Sequence, residues 1–343
     1  MLIAGIDEAG YGPMLGPLTV ALVALRVGDP RANCPPPDVW SLLERAVCRT
    51  GTDRRGRLPV NDSKMLKVGS GGGTRSTDRA KNRGRHPLVH LERTVIAFAR
   101  ANGHTTGNDH QLWAALGAES EWCEAHACYL GEPLALPVAC SEDQVRVGAS
   151  GLTGVMRDAG VRPALFRCRV QTEPAFNRLV RAEGSKAGTT GSAVAAHLRS
   201  VWDALESGER AWVVCDRLGG RTYYGPWLAE VFMAGCGCTL TCVARAESSS
   251  DYLVESADSR SDGRSMRIRF QTRADSRDFC VALASMIAKY ARELAMIRFN
   301  TFWCARLPEL KPTAGYHEDA VRWLADAASI LSESDRSALV RIA

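Results

Sequence analysis

Short apolar runs alternate with amphipathic stretches along this chain. Leu2 to Ile6 and Leu18 to Arg26 are rich in Val, Ile and Leu, and a Gly/Pro turn separates them, so they read as two strands of a hairpin-like start. Residues 38 to 48 space apolar positions at three and four and predict a short helix. Residues 88 to 100 and 110 to 130 also look helical, whereas 131 to 150 is mixed. A strand over 163 to 171 precedes a helix over 188 to 206, opened by a Thr or Ser cap. The β-branched run AWVVCD then ends at Asp216. A helix around 226 to 234, strands around 238 to 244 and 265 to 272, a long helix from about 278 to 299 and a helix over 317 to 331 complete the pattern. Strands interleaved with helices predict an α/β class, with a mixed sheet because of the opening hairpin.

At 343 residues, 45% hydrophobic and 24% charged, the chain can bury a substantial core as one large domain or two smaller ones. Its longest apolar stretches, such as Leu18 to Leu25, fall far short of the roughly 20 residues a membrane span needs. No basic, apolar, cleavable leader is seen, so a cytoplasmic protein without membrane contact is expected. The 12 cysteines are scattered and are expected to be reduced and mostly buried; Cys236, Cys238 and Cys242 lack the paired spacing of a zinc site. The net charge of +5 is concentrated in residues 67 to 87, which carry 6 Lys or Arg against 1 Asp. That glycine-rich run reads either as a solvated flexible insertion or as an arm that contacts a polyanion.

Asp7 and Asp216 each close an apolar strand and are followed by a glycine-containing loop. Sites in α/β sheets form at such strand ends, although a lone Asp there often only caps a turn. Glu8 follows Asp7 directly. Successive strand residues face opposite ways, so the two acids can share a site only if the strand ends or bends between them, and Gly10 and Gly12 offer that freedom. Clustered carboxylates repel unless protonated or bridged by a cation. Hard oxygen donors with no nearby His or Cys favour Mg²⁺ or Mn²⁺ over zinc.

Five stretches together resemble the type 2 ribonuclease H family. GIDEAGYGPMLGP looks like its DEAGRGP-type opening, and NDSKML (61 to 66) is similar to its NDSKKL motif. WVVCD matches the strand carrying its third acid. Residues 274 to 293, ADSRDFCVALASMIAKYARE, resemble its GDS…AASILAKVTRD segment, and AGYHEDAVRWL its GY…H stretch. The resemblance implies a ribonuclease H-like fold: a five-stranded mixed sheet flanked by helices, with a helical C-terminal part and a large insertion. It implies a catalytic core over 1–66 and 160–300, a flexible basic loop over 67–87, an insertion of unknown role over 88–159, and the helical part over 301–343. Asp7, Glu8, Asp216 and Asp275 would be both the catalytic acids and the ligands of two divalent ions, Mg²⁺ or Mn²⁺. The substrate would be an RNA/DNA hybrid, cut to 5′-phosphate and 3′-hydroxyl ends by a monomer.

On the same resemblance Gly10, Tyr11 and Gly12 would meet the ribose, Ser63 and Lys64 a phosphate, and Tyr316 the nucleotide beside the cut. Lys289 lies on the long helix whose Phe279, Leu283, Met286, Tyr290 and Leu294 form a core stripe; it would either face the acids or be solvated. His317 has no assigned role. The chain departs from the family pattern at Tyr11, where an arginine is usual, and at Arg217, where a glycine is usual; Glu293 replaces an Asp. A same-fold nuclease with another nucleic-acid substrate, and a nucleic-acid-binding protein without turnover, are the alternatives.

Overall fold

The computed structural model describes residues 1–28, 35–53, 55–66, 86–219, 221–232, 237–257 and 263–342. The basic loop, apart from residues 86 and 87, lies outside the described residues, as does Cys236. In chain order the strands are β1 (Leu2–Ala9), β2 (Leu18–Arg26), β3 (Val47–Cys48), β4 (Leu58–Pro59), β5 (Arg162–Gln171), β6 (Arg210–Asp216), β7 (Cys238–Arg245), β8 (Ser249–Ser256) and β9 (Ser265–Gln271). The α-helices are α1 (Val39–Leu42), α2 (Ser63–Leu66), α3 (Val89–Ala101), α4 (Asp109–Ala115), α5 (Glu142–Asp158), α6 (Glu173–Glu183), α7 (Lys186–Asp203), α8 (Gly225–Phe232), α9 (Phe279–Arg306), α10 (His317–Asp326) and α11 (Glu333–Leu339).

The main sheet has 7 strands, in the order β5-β2-β1-β6-β9-β8-β7, rather than the five expected. β1 pairs antiparallel with β2, and β2 with β5, while β6 runs parallel to β1 and β9 parallel to β6. β8 and β7 then extend the edge antiparallel. β8 escapes a sequence reading because it carries Asp251, a residue depleted in strands. Asp251 is 2% exposed and accepts charge-assisted hydrogen bonds from Arg267 and Arg269 of β9, each at 2.7 Å.

Other boundaries also shift. The helix expected over 38 to 48 stops at Leu42, and Val47–Cys48 pairs in parallel with β4 instead. The one expected over 110 to 130 ends at Ala115, with Gly117 at φ +64°, and two 3₁₀ turns follow, Glu119–Trp122 and Ala127–Tyr129. The mixed stretch 131 to 150 hides the start of α5, whose Ser141–Gln144 capping box opens a helix interrupted by three glycines. The last expected helix ends at Asp326, and Ser332 caps a separate α11.

Strand alternation sends Leu2, Ala4 and Ile6 into a cluster with α7 and α8 on one face of the sheet. Ile3, Ala21 and Val23 join a larger cluster with α9, α3 and α5 on the other, so residues of the 88 to 159 stretch share a core with the long helix. All five residues of the expected stripe on α9 are buried, and so are their neighbours around the helix from Phe279 to Ala288. α9 lies directly along β1 and in the same direction. Cys280 Sγ donates to the Ile3 carbonyl, Gly5 faces the Val281 backbone, Ser285 meets Asp7, and Arg292 lies under Gly10. No described helix is long and apolar enough to cross a membrane.

Candidate active site

The parallel strands β1, β6 and β9 end together, and each delivers acid to that end. The β1–β6 ladder stops at Ile6↔Cys215, so Asp7 and Asp216 are the next residues along. β9 ends opposite Asp216, and the turn Ala274–Ser276 follows at once. The Ala274 N–H donates to Asp216 Oδ1 at 3.3 Å, which seats Asp275 beside the other acids. β1 itself continues to Ala9, with Glu8 still paired to Val20 of β2. The strand therefore neither ends nor bends at a glycine between Asp7 and Glu8. The β6 ladder with β1 closes before either acid, so both lie past the end of that pairing.

Electrostatics tie the acids into one group. Asp7 is 7% exposed, and burial, then the charges of Glu8 and Asp216, hold its carboxyl well above the usual aspartate range. Glu8 is half-buried and pushed up to about 7 by burial, with Asp216 and Asp275 adding to the rise. Burial, Asp62 and Asp216 raise Asp275. The opposing cation for both Glu8 and Asp275 is Lys64. Four acids drawn from three strand ends thus repel one another, with one lysine against them.

Two residues in this group escape a sequence reading. Ser285, on the α9 turn that crosses Asp7, stands at the Asp7 carboxyl and within hydrogen-bonding distance of Ser63 Oγ at 3.1 Å, with its one hydroxyl proton shared between these neighbours. It joins β1 to the NDSK loop, whose Asp62 caps α2 through the Lys64 N–H at 2.8 Å. Asp62 itself acts on Asp275. Lys289 is paired with Glu293 one turn along α9 at 2.9 Å, and the cation that most affects Glu8 and Asp275 is Lys64.

The glycine loop stands beside this group. Gly10 has φ +88°, and a Cβ there would meet both Pro17 and the Arg292 side chain within 2.7 Å, so glycine is required. Tyr11 packs on the α7 face of the sheet, and its hydroxyl lies against Gly219. Gly12 is exposed. Arg292 donates to the carbonyls of Leu15 and Ala314, and the Gly315 carbonyl accepts from Met14 and Leu15. These bonds place Tyr316, 51% exposed, next to the loop, with the Arg292 guanidinium 5.8 Å from its ring centroid. His317 Nδ1 lies 3.0 Å from Met14 Sδ.

The donor set is one of hard oxygens, and its mutual repulsion is what a divalent cation would relieve. As placed, however, no three His, Cys, Asp or Glu side chains among the described residues are spaced to hold a metal ion. The chemistry of the donors fits such ions.

No protein-family model and no curated protein matches this sequence. Among solved structures, the RNase HII of the PCNA:RNase HII complex from Archaeoglobus fulgidus aligns over 100% of this chain and 94% of its own, at 14% identity and a TM-score of 0.39. Bst-RNase HIII in complex with Mn²⁺ aligns over 100% of this chain and 66% of its own, at 14% identity and 0.40. Ribonuclease H2 from Pyrococcus horikoshii OT3 aligns over 98% and 96%, at 13% identity and 0.36. At likenesses of this extent the functional reading rests on the side chains themselves.

Proposed function

We propose that this chain is a metal-dependent endonuclease that hydrolyses the RNA strand of RNA/DNA hybrids. The observation that carries the reading is the gathering of Asp7, Glu8, Asp216 and Asp275 at adjoining strand ends, each raised or raising its neighbours. A purely structural site gains nothing from carboxylates that destabilise each other. The motif resemblance supplies the substrate class.

In this reading the four acids would hold two Mg²⁺ or Mn²⁺ ions. Such ions, when bound, supply positive charge to the scissile phosphate and lower the pKa of the attacking water. Ser285 holds the Asp7 carboxylate in place by hydrogen bonding. Lys64 and Ser63 would contact the phosphate, the amides of the glycine loop the ribose, and Tyr316 would stack on the neighbouring nucleotide. Water adds to phosphorus, the bond to the 3′ oxygen breaks, and the products are a 5′-phosphate and a 3′-hydroxyl.

The test is cleavage of a labelled RNA/DNA duplex with Mg²⁺ or Mn²⁺. Wild type should cut and Asp7→Asn should lose about 10²–10³-fold in rate, the scale on which removing a charge-stabilising catalytic group acts. Activity retained in Asp7→Asn rejects the assignment. The absence of a closed ligand shell favours a second reading, a nucleic-acid-binding protein without turnover. Hybrid binding without metal-dependent cleavage by wild type would select it.

A further inference from the structure

Residues 340 to 342 run as a strap over α6 and β1's exit loop. The Arg341 N–H donates to the Met14 carbonyl at 2.9 Å, while Asn177 accepts from the Ile342 N–H at 2.8 Å and donates to the Val340 carbonyl at 2.9 Å. Between these anchors the Arg341 side chain is 3% exposed, and its guanidinium stacks 3.8 Å from the Phe176 ring centroid. The buried Glu173 carboxylate attracts it. Glu173 also accepts from the Gly16 N–H at 3.0 Å and from the Tyr129 hydroxyl. Burial lowers Arg341 only to about 10, so it is a cation at neutral pH.

This guanidinium donates one nitrogen to the Gly10 carbonyl and the other to the Tyr11 carbonyl, the latter at 3.1 Å. In a trans peptide the C=O and the following N–H point in opposite directions. Pulling these two carbonyls onto one buried cation therefore turns the N–H groups of Tyr11 and Gly12 away from Arg341. Neither N–H has a partner among the described residues. Two adjacent backbone donors aimed the same way suit a phosphate or ribose oxygen.

We propose that Arg341 is a positioning residue: it fixes the Gly10-Tyr11-Gly12 backbone so that two amides face the substrate, without touching the substrate itself. This rests on the nuclease reading for the identity of the ligand, but not for the strap. The arginine usual at this position in the resembled family is replaced by Tyr11, and the loop backbone, held from beneath, keeps two amides for the ribose.

The experiment compares wild type with Arg341→Lys, which keeps a cation beside Glu173 but loses the fork that spans two carbonyls. The expected result is a KM for hybrid raised about tenfold, the scale of one charge-assisted hydrogen bond, with kcat and calorimetric Mn²⁺ affinity unchanged. Backbone ¹⁵N order parameters at residues 10 to 12 should fall in the same variant. An unchanged KM, or a loss confined to kcat, overturns the inference. If wild type shows no metal-dependent cleavage, the nuclease reading fails and the order parameters alone decide: a fall supports the strap, and unchanged values overturn it. Asn177→Ala, which frees residues 340 and 342 while leaving the guanidinium intact, should reproduce the KM effect in part should Arg341→Lys fail to fold.

Discussion

Glu8 carries the clearest consequence of crowding acids at one strand end. Below the ordinary value of 4.5 its carboxyl is protonated in folded and unfolded chain alike. Between 4.5 and about 7 the unfolded chain ionises while the folded one holds its proton, so folding stability falls as pH rises through that window. The loss at Glu8 is at most about 3 kcal/mol, and Asp7 adds in the same direction. Metal-free protein should therefore melt at a lower temperature at pH 8 than at pH 5 in the absence of divalent cations, with Mg²⁺ or Mn²⁺ reversing the difference. A melting temperature unaffected by either ion at pH 8 would count against the acids as ligands. Asp7 and Asp216 stand out in the sequence because each ends an apolar run. Asp62 and Ser285 lie inside the motifs, but their contacts, like those of Arg341, were not read, because each acts across more than 150 residues of chain or on a backbone carbonyl.

At the scale of elements, the site depends on how closely α9 lies on β1. A Cβ built on Gly5 would stand 2.1 Å from the Val281 nitrogen and 2.2 Å from the Cys280 carbonyl carbon, both backbone atoms at the first turn of α9. Nothing there can swing aside. Gly5→Ala should force the helix off the strand and cost about 3 kcal/mol in denaturant unfolding, at the upper end for overpacking. Because Ser285 would move with the helix, cleavage should fall along with stability. Normal stability in Gly5→Ala would mean that the helix sits farther out than described. The periodicity of α9 announced the helix and its core stripe, whereas its contact with β1 did not follow from pattern. The unread elements each lack the usual signal: α5 carries three glycines, α6 is short and polar, and β8 hides a buried Asp beside Arg267 and Arg269. α6 matters most for the site, since it supplies Glu173, Phe176 and Asn177 to the strap.

Over the whole molecule, the ends of β1, β6 and β9 adjoin the NDSK loop, through Ser285 and Lys64, and the glycine loop that follows β1. On the proposed reading, a duplex lying across both would meet Lys64 close to the acids and the loop's backbone amides at the ribose. Tyr11 presents a hydroxyl against Gly219 and no charged fork, so on the proposed reading the glycine loop itself would offer a ribose only neutral donors. In a continuous RNA strand every register offers a 2′-hydroxyl to those amides, whereas in a DNA duplex with one ribonucleotide only one register does. Long hybrid should therefore be cut with the higher kcat/KM, by about tenfold or more, since one charge-assisted contact is worth about that much. Tyr11→Arg should narrow the gap by raising cleavage at the single ribonucleotide. Measuring both substrates with both proteins decides the point: equal or reversed preference in wild type would show that the tyrosine does not set substrate choice, and a preference for all-DNA duplex would leave the acids their chemistry while removing the ribose from the account.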